Sequence, residues 1–98
     1  MITQVRIYTV NRGMMDSWIK VFNEQLAPAS EKNGIHILGA WVNRPQNEFI
    51  WIRSADSTET FDAYYASEER KAIGDLPGTH LAKIEVRDVE SVYEAKSA

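Results

Sequence analysis

FIWIRS, residues 49–54, is the stretch that decides the fold, because both faces of the strand it predicts are built from large side chains. Successive side chains of an extended strand point to opposite faces. One face then has Ile50 and Ile52, and the other has Phe49, Trp51 and Arg53. A strand with one face in water should have polar residues on that face. We therefore expect both faces of this strand to be covered, the aliphatic one by helices of the same subunit.

The residues around this strand predict six elements in the order strand, helix, strand, strand, helix, strand. Strands are predicted from period-two alternation and helices from apolar residues three and four apart. In chain order the elements are a strand at 2–10, a helix at 14–33 interrupted at Pro28, strands at 35–43 and 48–54, a helix at 56–73 and a strand at 79–89. We expect a loop at 74–78, and a polar tail from Glu90 that either frays or serves as an arm.

Three local features set the ends of these elements. Pro28 lacks a backbone N–H and interrupts the first helix. The short connection at 44–47, Arg-Pro-Gln-Asn, makes its flanking strands an antiparallel hairpin. Asp56 is expected to cap the second helix, with Glu59 three residues later completing an acidic capping box.

This order of elements predicts an α+β, ferredoxin-like βαββαβ fold, with a four-stranded antiparallel sheet and both helices on one face. The helix-covered face is expected to have the aliphatic residues Val5, Ile7, Leu38, Ala40, Ile50 and Ile52. The open face is expected to have the aromatic and polar residues Arg6, Tyr8, Trp41, Asn43, Phe49, Trp51 and Arg53. An open patch of this size marks an interface or a ligand cavity, and a second identical subunit would cover it. We therefore expect one domain over residues 1–98 and a homodimer that forms an α+β barrel.

The composition excludes several classes of function. The net charge is −3, with 11 Lys and Arg against 14 Asp and Glu, and no basic stripe is present, so no nucleic-acid partner is expected. The chain has no cysteine, which excludes disulfides, thiolate catalysis and thiolate metal sites. It has no leader-like segment and no apolar run of membrane-spanning length, so we expect a cytoplasmic protein without a membrane partner.

Two segments together resemble the NIPSNAP family of the dimeric α+β barrel superfamily. They are VRIYTVNRGMMDSWIKVFNEQLAP, residues 5–28, and GIHILGAWVNRPQNEFIWIRSADSTETF, residues 34–61. The matching features, in chain order, are Arg6 and Tyr8, Gly13, Leu26 and Pro28, Gly39 and Trp41, Trp51, and the acidic helix start Asp56-Ser57. The resemblance covers roughly the first three quarters of the chain and rests on the order and spacing of these motifs.

The resemblance implies a homodimer with a cavity between the sheet and the helices, or between the two sheets. It implies no single activity, because the wider superfamily includes cofactor-free oxygenases, haem-degrading enzymes, isomerases and binding proteins, and a fold does not define a function. The chain departs from the family at Arg53, where relatives often have an aromatic residue two places after the third-strand tryptophan. The polarity of the family's cavity is therefore not transferred to this chain.

The predicted ligand-binding residues combine arginines with aromatic and amide side chains, and they are Arg6, Tyr8, Asn43, Trp51, Arg53 and Tyr65. An arginine among aromatic residues can hold a carboxylate or a phosphate through its planar guanidinium. The alternative for both arginines is a structural ion pair with Glu48 or Glu85, because a buried charge requires a partner. The alternative for the aromatic residues is that they form the core of the dimer.

The candidates for catalysis are His80 and Tyr8. His36 and His80 are the only histidines, and hence the only ready general bases near neutral pH. Neither has a second ligand at metal-binding spacing, so we expect no metal and no cofactor.

Three hypotheses about function remain open at this stage. The chain is a homodimeric protein that binds a small anionic or aromatic metabolite and transforms it, if at all, without a cofactor; or a non-catalytic interaction module; or a cofactor-free, monooxygenase-like enzyme. The sequence does not decide whether the chain is an enzyme.

Overall fold

The computed structural model describes residues 1–93 of the chain. Its strands are β1 (Ile2–Val10), β2 (His36–Asn43), β3 (Glu48–Ala55) and β4 (Leu81–Val89). They form one antiparallel sheet in the order β2-β3-β1-β4, and the buried core lies between one face of this sheet and the helices. The predicted α+β, ferredoxin-like fold is confirmed. The polar tail from Glu90, expected either to fray or to serve as an arm, lies largely outside the described residues.

The first helical segment consists of three consecutive parts. They are α1 (Met15–Val21), a π-helical turn (Phe22–Leu26) and α2 (Ala27–Lys32). Pro28 lies in the first turn of α2, which continues directly from the π-helical turn, so its missing N–H leaves a carbonyl of the preceding turn without its helical hydrogen bond. The interruption predicted at Pro28 is present as the wider π-helical turn just before it.

The second helical segment differs from the prediction in three respects. It divides into α3 (Thr58–Tyr65) and α4 (Glu68–Ile73), and α4 begins where the Ser67 hydroxyl accepts a hydrogen bond from the Arg70 backbone N–H at 3.1 Å. Ser57, not Asp56, occupies the N-cap position of α3 and makes no side-chain cap. The loop expected at 74–78 was wrong, because a short helix α5 (Leu76–His80) forms there with proline in its first turn.

The expected assignment of the two sheet faces was also wrong, because the aromatic face is the one that the helices cover. Tyr8, Phe49 and Trp51 are each at most 3% exposed. Trp18 of α1 packs edge-on against Phe49 with ring centroids 5.9 Å apart, and Phe22 packs edge-on against Trp51 at 5.1 Å. The helix therefore packs its aromatic residues on the aromatic face of the sheet, because large rings bury the most apolar surface when they pack against each other.

The open face of the sheet is aliphatic and is not charged at its centre. Val5 lies opposite Ile52, and Ile7 lies opposite Ile50, and all four are only partly buried. Trp41 lies on this open face, as expected, but its neighbour there is Ile50 rather than the aromatic residues of β3, and it is 54% exposed. Within residues 1–93, no element of the same subunit covers this apolar face.

Candidate functional site

A cavity of about 50 Å³ lies between the helix-covered face of the sheet and the second helical segment. A volume of this size holds a few water molecules or one small polar group. Its walls are formed by Arg6, Tyr8, Leu26, Trp51, Arg53, Tyr64, Tyr65, Arg70, Pro77, Leu81 and Ile84. Three of these residues are arginines and none is acidic, so the lining has a strongly positive charge.

All of the predicted ligand-binding residues except Asn43 line this cavity. The strand register explains why, because Arg6 of β1 lies directly opposite Trp51 of β3, and side chains that face each other across an antiparallel pair share one face. Asn43 is on the other face, where its amide donates to Gln46 at 2.8 Å and to Glu48 at 3.4 Å. Whether the residues in the cavity bind a ligand stays a prediction.

Arg53 is only 2% exposed, and both of its hydrogen-bond partners are neutral. Its Nε donates to Oε1 of Gln4 at 3.0 Å, and its Nη2 donates to the hydroxyl oxygen of Tyr65 at 3.2 Å. The guanidinium carbon also lies 4.3 Å from the ring centroid of Phe61, a cation–π distance. Burial and the positive charge of Arg6 both lower the pKa of Arg53. A guanidinium nevertheless keeps its proton in proteins, so Arg53 is a buried cation.

Arg6 is a second cation in the same cavity. Its Nε donates to the hydroxyl oxygen of Tyr8 at 2.8 Å, and its guanidinium lies 5.9 Å from the ring centroid of Trp51. Burial lowers the pKa of Arg6, but its interactions with neighbouring tyrosines, Tyr8 first, outweigh burial and leave the pKa raised. Arg6 therefore also remains charged.

Neither arginine has the carboxylate partner considered from the sequence. Within residues 1–93 the ion pairs of Glu85 are with Lys83 at 3.6 Å and Arg87 at 3.3 Å. Glu48 accepts its hydrogen bond from Asn43 at the hairpin turn. The charges of Arg6 and Arg53 are therefore not neutralised by acidic side chains in this part of the chain.

Two further polar groups of the cavity-lining residues are buried and unpaired. The indole N–H of Trp51 and the hydroxyl of Tyr64 have no hydrogen-bond partner among the described residues. Burial raises the pKa of Tyr64, so this hydroxyl keeps its proton and remains a donor. The hydroxyl oxygens of Tyr8 and Tyr65 each accept a hydrogen bond from an arginine, which leaves their own protons available. The site is therefore rich in donors and suits a ligand that only accepts.

The sequence did not identify Arg70 and Tyr64 as site residues. Arg70 belongs to a run of charged residues, 67–71, that is typical of a solvated helix face. The structure instead ends α3 at Tyr65 and begins α4 after Ser67, which places Arg70 at the cavity. The spacing of Ser67 three residues before Arg70 is that of an N-cap, and it could have predicted the new helix start.

His80, the candidate for catalysis that the sequence offered beside Tyr8, does not line this cavity. It is 5% exposed and packs against Trp18 with ring centroids 5.9 Å apart. Over the described part of the chain no cluster of three or more His, Asp or Glu could hold a metal ion. No helix in the same range is long and apolar enough to cross a membrane.

The fold is shared with several solved structures. An uncharacterised NIPSNAP domain protein from Burkholderia xenovorans superposes with a TM-score of 0.81 over 98% of this chain and 100% of its own, at 14% identity. The chain has a NIPSNAP-type, ferredoxin-like fold. A NIPSNAP family protein of unknown function from Agrobacterium tumefaciens gives a TM-score of 0.80 over 91% of this chain and 86% of its own, at 16% identity. An antibiotic biosynthesis monooxygenase gives a TM-score of 0.73 over 95% of this chain and 100% of its own, at 14% identity.

The sequence itself matches no family model and no curated protein. The NIPSNAP-type fold agrees with the resemblance recognised in residues 5–28 and 34–61. It does not distinguish binding from catalysis, because the shared structures include both NIPSNAP proteins and a monooxygenase.

Proposed function

We propose that this NIPSNAP-like protein binds a small anion, such as the carboxylate of a metabolite, in the cavity between its sheet and its second helical segment. The observation that supports this function is the set of three arginines in a lining without any acidic residue. A buried charge without a partner is costly. An anion would neutralise Arg6 and Arg53 and would accept hydrogen bonds that they do not use within the protein.

The cavity constrains the size and chemistry of the ligand. Its volume of about 50 Å³ accommodates an anionic group and not a whole drug-sized molecule. Tyr65 and Ile84 line the cavity while being 46% and 49% exposed, so a larger ligand body would extend past them towards solvent. The ligand is therefore a carboxylate or a similar oxyanion whose remaining atoms contact these two side chains.

The open sheet face supports the further proposal of a homodimer. Trp41 is 54% exposed and Leu38 of the same strand is 60% exposed. The partly buried Ile50 and Ile52 of the neighbouring strand add to this apolar surface. A second copy facing this sheet would bury the patch in an isologous contact. Of the aromatic residues expected at such an interface, Tyr8, Phe49 and Trp51 are instead in the subunit core. The interface would therefore consist of Trp41 and mainly aliphatic residues.

A thermal-shift titration tests anion binding. Acetate, benzoate and inorganic phosphate are added to the purified protein, with chloride at the same ionic strength as the reference. A ligand present at ten times its Kd should stabilise the native state by about 1.4 kcal/mol. For a domain of this size that corresponds to an increase in Tm of roughly 6–11 °C.

Matched variants separate binding from a general salt effect. Arg70→Gln changes a half-buried arginine of the cavity, whereas Arg44→Gln changes an arginine that forms an exposed pair with Asp16 at 2.8 Å. The increase in Tm on adding the anion should be smaller in Arg70→Gln and unchanged in Arg44→Gln. An equal response in both variants, or no response beyond chloride in the unaltered protein, would contradict the proposed function.

A further inference from the structure

His80 has hydrogen-bond partners at both ring nitrogens, outside the arginine-lined cavity. Nδ1 lies 2.8 Å from the carbonyl oxygen of Leu76, and Nε2 lies 2.8 Å from the hydroxyl oxygen of Ser17. Because a carbonyl oxygen can only accept, Nδ1 has the proton and Nε2 is the free, basic nitrogen of the neutral ring. The Ser17 hydroxyl therefore donates its proton to Nε2 of His80.

The two side chains differ in exposure in the way that a nucleophile and its base require. His80 is 5% exposed and is held against the ring of Trp18, so its orientation is fixed. The Thr79 hydroxyl lies 3.1 Å from Nδ1 on the same side as the Leu76 carbonyl and adds to this restraint. Ser17, in the first turn of α1, is exposed. An accessible hydroxyl backed by an oriented imidazole is the arrangement that activates a serine.

We propose that Ser17 and His80 form a nucleophile–base pair that accepts an acyl group from activated esters. Oγ of Ser17 forms a bond to the carbonyl carbon of the ester while its proton passes to Nε2 of His80. The bond to the leaving alcohol or thiol then breaks, and His80 returns the proton to the leaving oxygen or sulfur. The ester supplies the acyl group, and no electron is exchanged with another reactant.

The partner on Nδ1 determines which esters fit this site. In a serine–histidine–aspartate triad a buried carboxylate stabilises the imidazolium that forms during attack. Here that position is taken by the neutral carbonyl of Leu76, which stabilises the imidazolium less. The substrate class is therefore esters with good leaving groups, namely aryl esters and thioesters, rather than amides or alkyl esters.

Covalent labelling with an alkyl fluorophosphonate tests the pair in the full-length protein. Oγ of an activated serine displaces fluoride from phosphorus, and mass spectrometry of the digested protein locates the label. Ser91 is an internal reference, because its exposed hydroxyl donates to the carbonyl of Tyr93 rather than to a histidine. A general base contributes about 10²–10⁴-fold to such a step, so Ser17 should be labelled at least about 100 times faster than Ser91.

Variants separate a chemical role of His80 from a structural one. His80→Gln keeps a hydrogen-bonding amide but no base, and it should reduce labelling of Ser17 to the level of Ser91. His36→Gln, at an exposed histidine of β2, should leave labelling unchanged. Equal labelling of Ser17 and Ser91 in the unaltered protein overturns the proposal even if His80→Gln fails to fold. Undiminished labelling of Ser17 in a folded His80→Gln variant overturns it as well.

Discussion

Replacing Arg53 by methionine should stabilise the ligand-free protein and abolish its response to anions. Taking an ion out of water costs several kcal/mol, and Arg53 is 2% exposed with Arg6 as a nearby like charge. Its hydrogen bonds to Gln4 and Tyr65 offset part of this cost, at about 1.5–3 kcal/mol each. Methionine in its place adds about 1.5–3 kcal/mol of apolar burial.

Gln4 and Tyr65, which each lose a hydrogen bond to Arg53, are not left as buried groups without a hydrogen-bond partner. The side chain of Gln4 is partly exposed, so water can replace Arg53 at its Oε1, and Tyr65 is 46% exposed. We expect Arg53→Met to raise the free energy of unfolding by about 1–3 kcal/mol, within the range found when buried ionic groups are replaced by apolar ones. For a domain of this size that raises Tm by roughly 4–8 °C per kcal/mol.

Urea denaturation in a buffer free of carboxylates and phosphate measures this change. Arg44→Met is the control, because Arg44 is exposed and its surface pair with Asp16 should contribute within about 0.5 kcal/mol. A loss of more than about 1 kcal/mol in Arg53→Met would refute the reasoning, since it would mean that the neutral contacts of Arg53 outweigh its desolvation. The arginine would then be a structural residue.

Three further changes test other parts of the structure. Trp41→Glu should raise the dissociation constant of the proposed dimer at least about 30-fold, the loss typical of a tryptophan hot spot. Light scattering on a size-exclusion column measures the fraction of dimer. An unaltered protein that is monomeric at every concentration contradicts the dimer. Tyr64→Phe removes a buried, unpaired hydroxyl and should raise the free energy of unfolding at pH 7 by up to about 1 kcal/mol. Because burial raises the pKa of Tyr64 above its ordinary value of 10.0, the native state binds this proton more tightly than the unfolded state. The free energy of unfolding should therefore fall as pH rises above 10, and it should fall less steeply in Tyr64→Phe. If urea titrations give both proteins the same dependence on pH, the raised pKa of Tyr64 is contradicted. Ser67→Ala removes the cap of α4 and should cost about 1 kcal/mol by thermal unfolding, whereas Ser57→Ala, at an N-cap that makes no such bond, should cost less.

The order of elements was predictable because alternation and helical spacing are local properties of the sequence. The choice of face was not, because both faces of β3 are apolar and alternation shows only which residues share a face. The face of β3 that the helices cover is determined by aromatic packing, because Trp18 packs against Phe49 and Phe22 packs against Trp51. The aromatic stripe of the helix was visible in the sequence, and weighing it against the two faces would have predicted the result.

Trp41 and Asn43 were predicted on the open face and lie there, but their grouping with the aromatic residues of β3 was wrong for a different reason. The connection at 44–47 pairs Asn43 with Glu48, so from Gly39 to Asn43 the odd-numbered residues of β2 lie opposite even-numbered residues of β3. Trp41 therefore shares a face with Ile50 and not with Trp51. The length of the hairpin connection sets this register, and it could have been used to place both residues.

The cavity itself was only partly predictable. Residues on strands could be grouped by register, which is why Arg6 and Trp51 were placed together correctly. Tyr64 lies on α3, before the break in the second helical segment, whereas Arg70 lies on α4, after it. No periodicity within a single helix predicts where side chains point after such a break.

The π-helical turn has an evolutionary consequence for the cavity wall. A π-helical turn accommodates one residue more than the α-helix in which it is embedded. Deleting one residue from Phe22–Leu26 would restore a regular α-helix, and because the wider turn already absorbs that extra residue, the helix after it would keep nearly the same orientation relative to α1. Phe22 packs on Trp51 before this turn is complete, and Leu26 lines the cavity at its end. This turn is therefore the place in the helical segment where a single-residue deletion should be tolerated, whereas a deletion within α1 would rotate all later residues of the segment by about 100°.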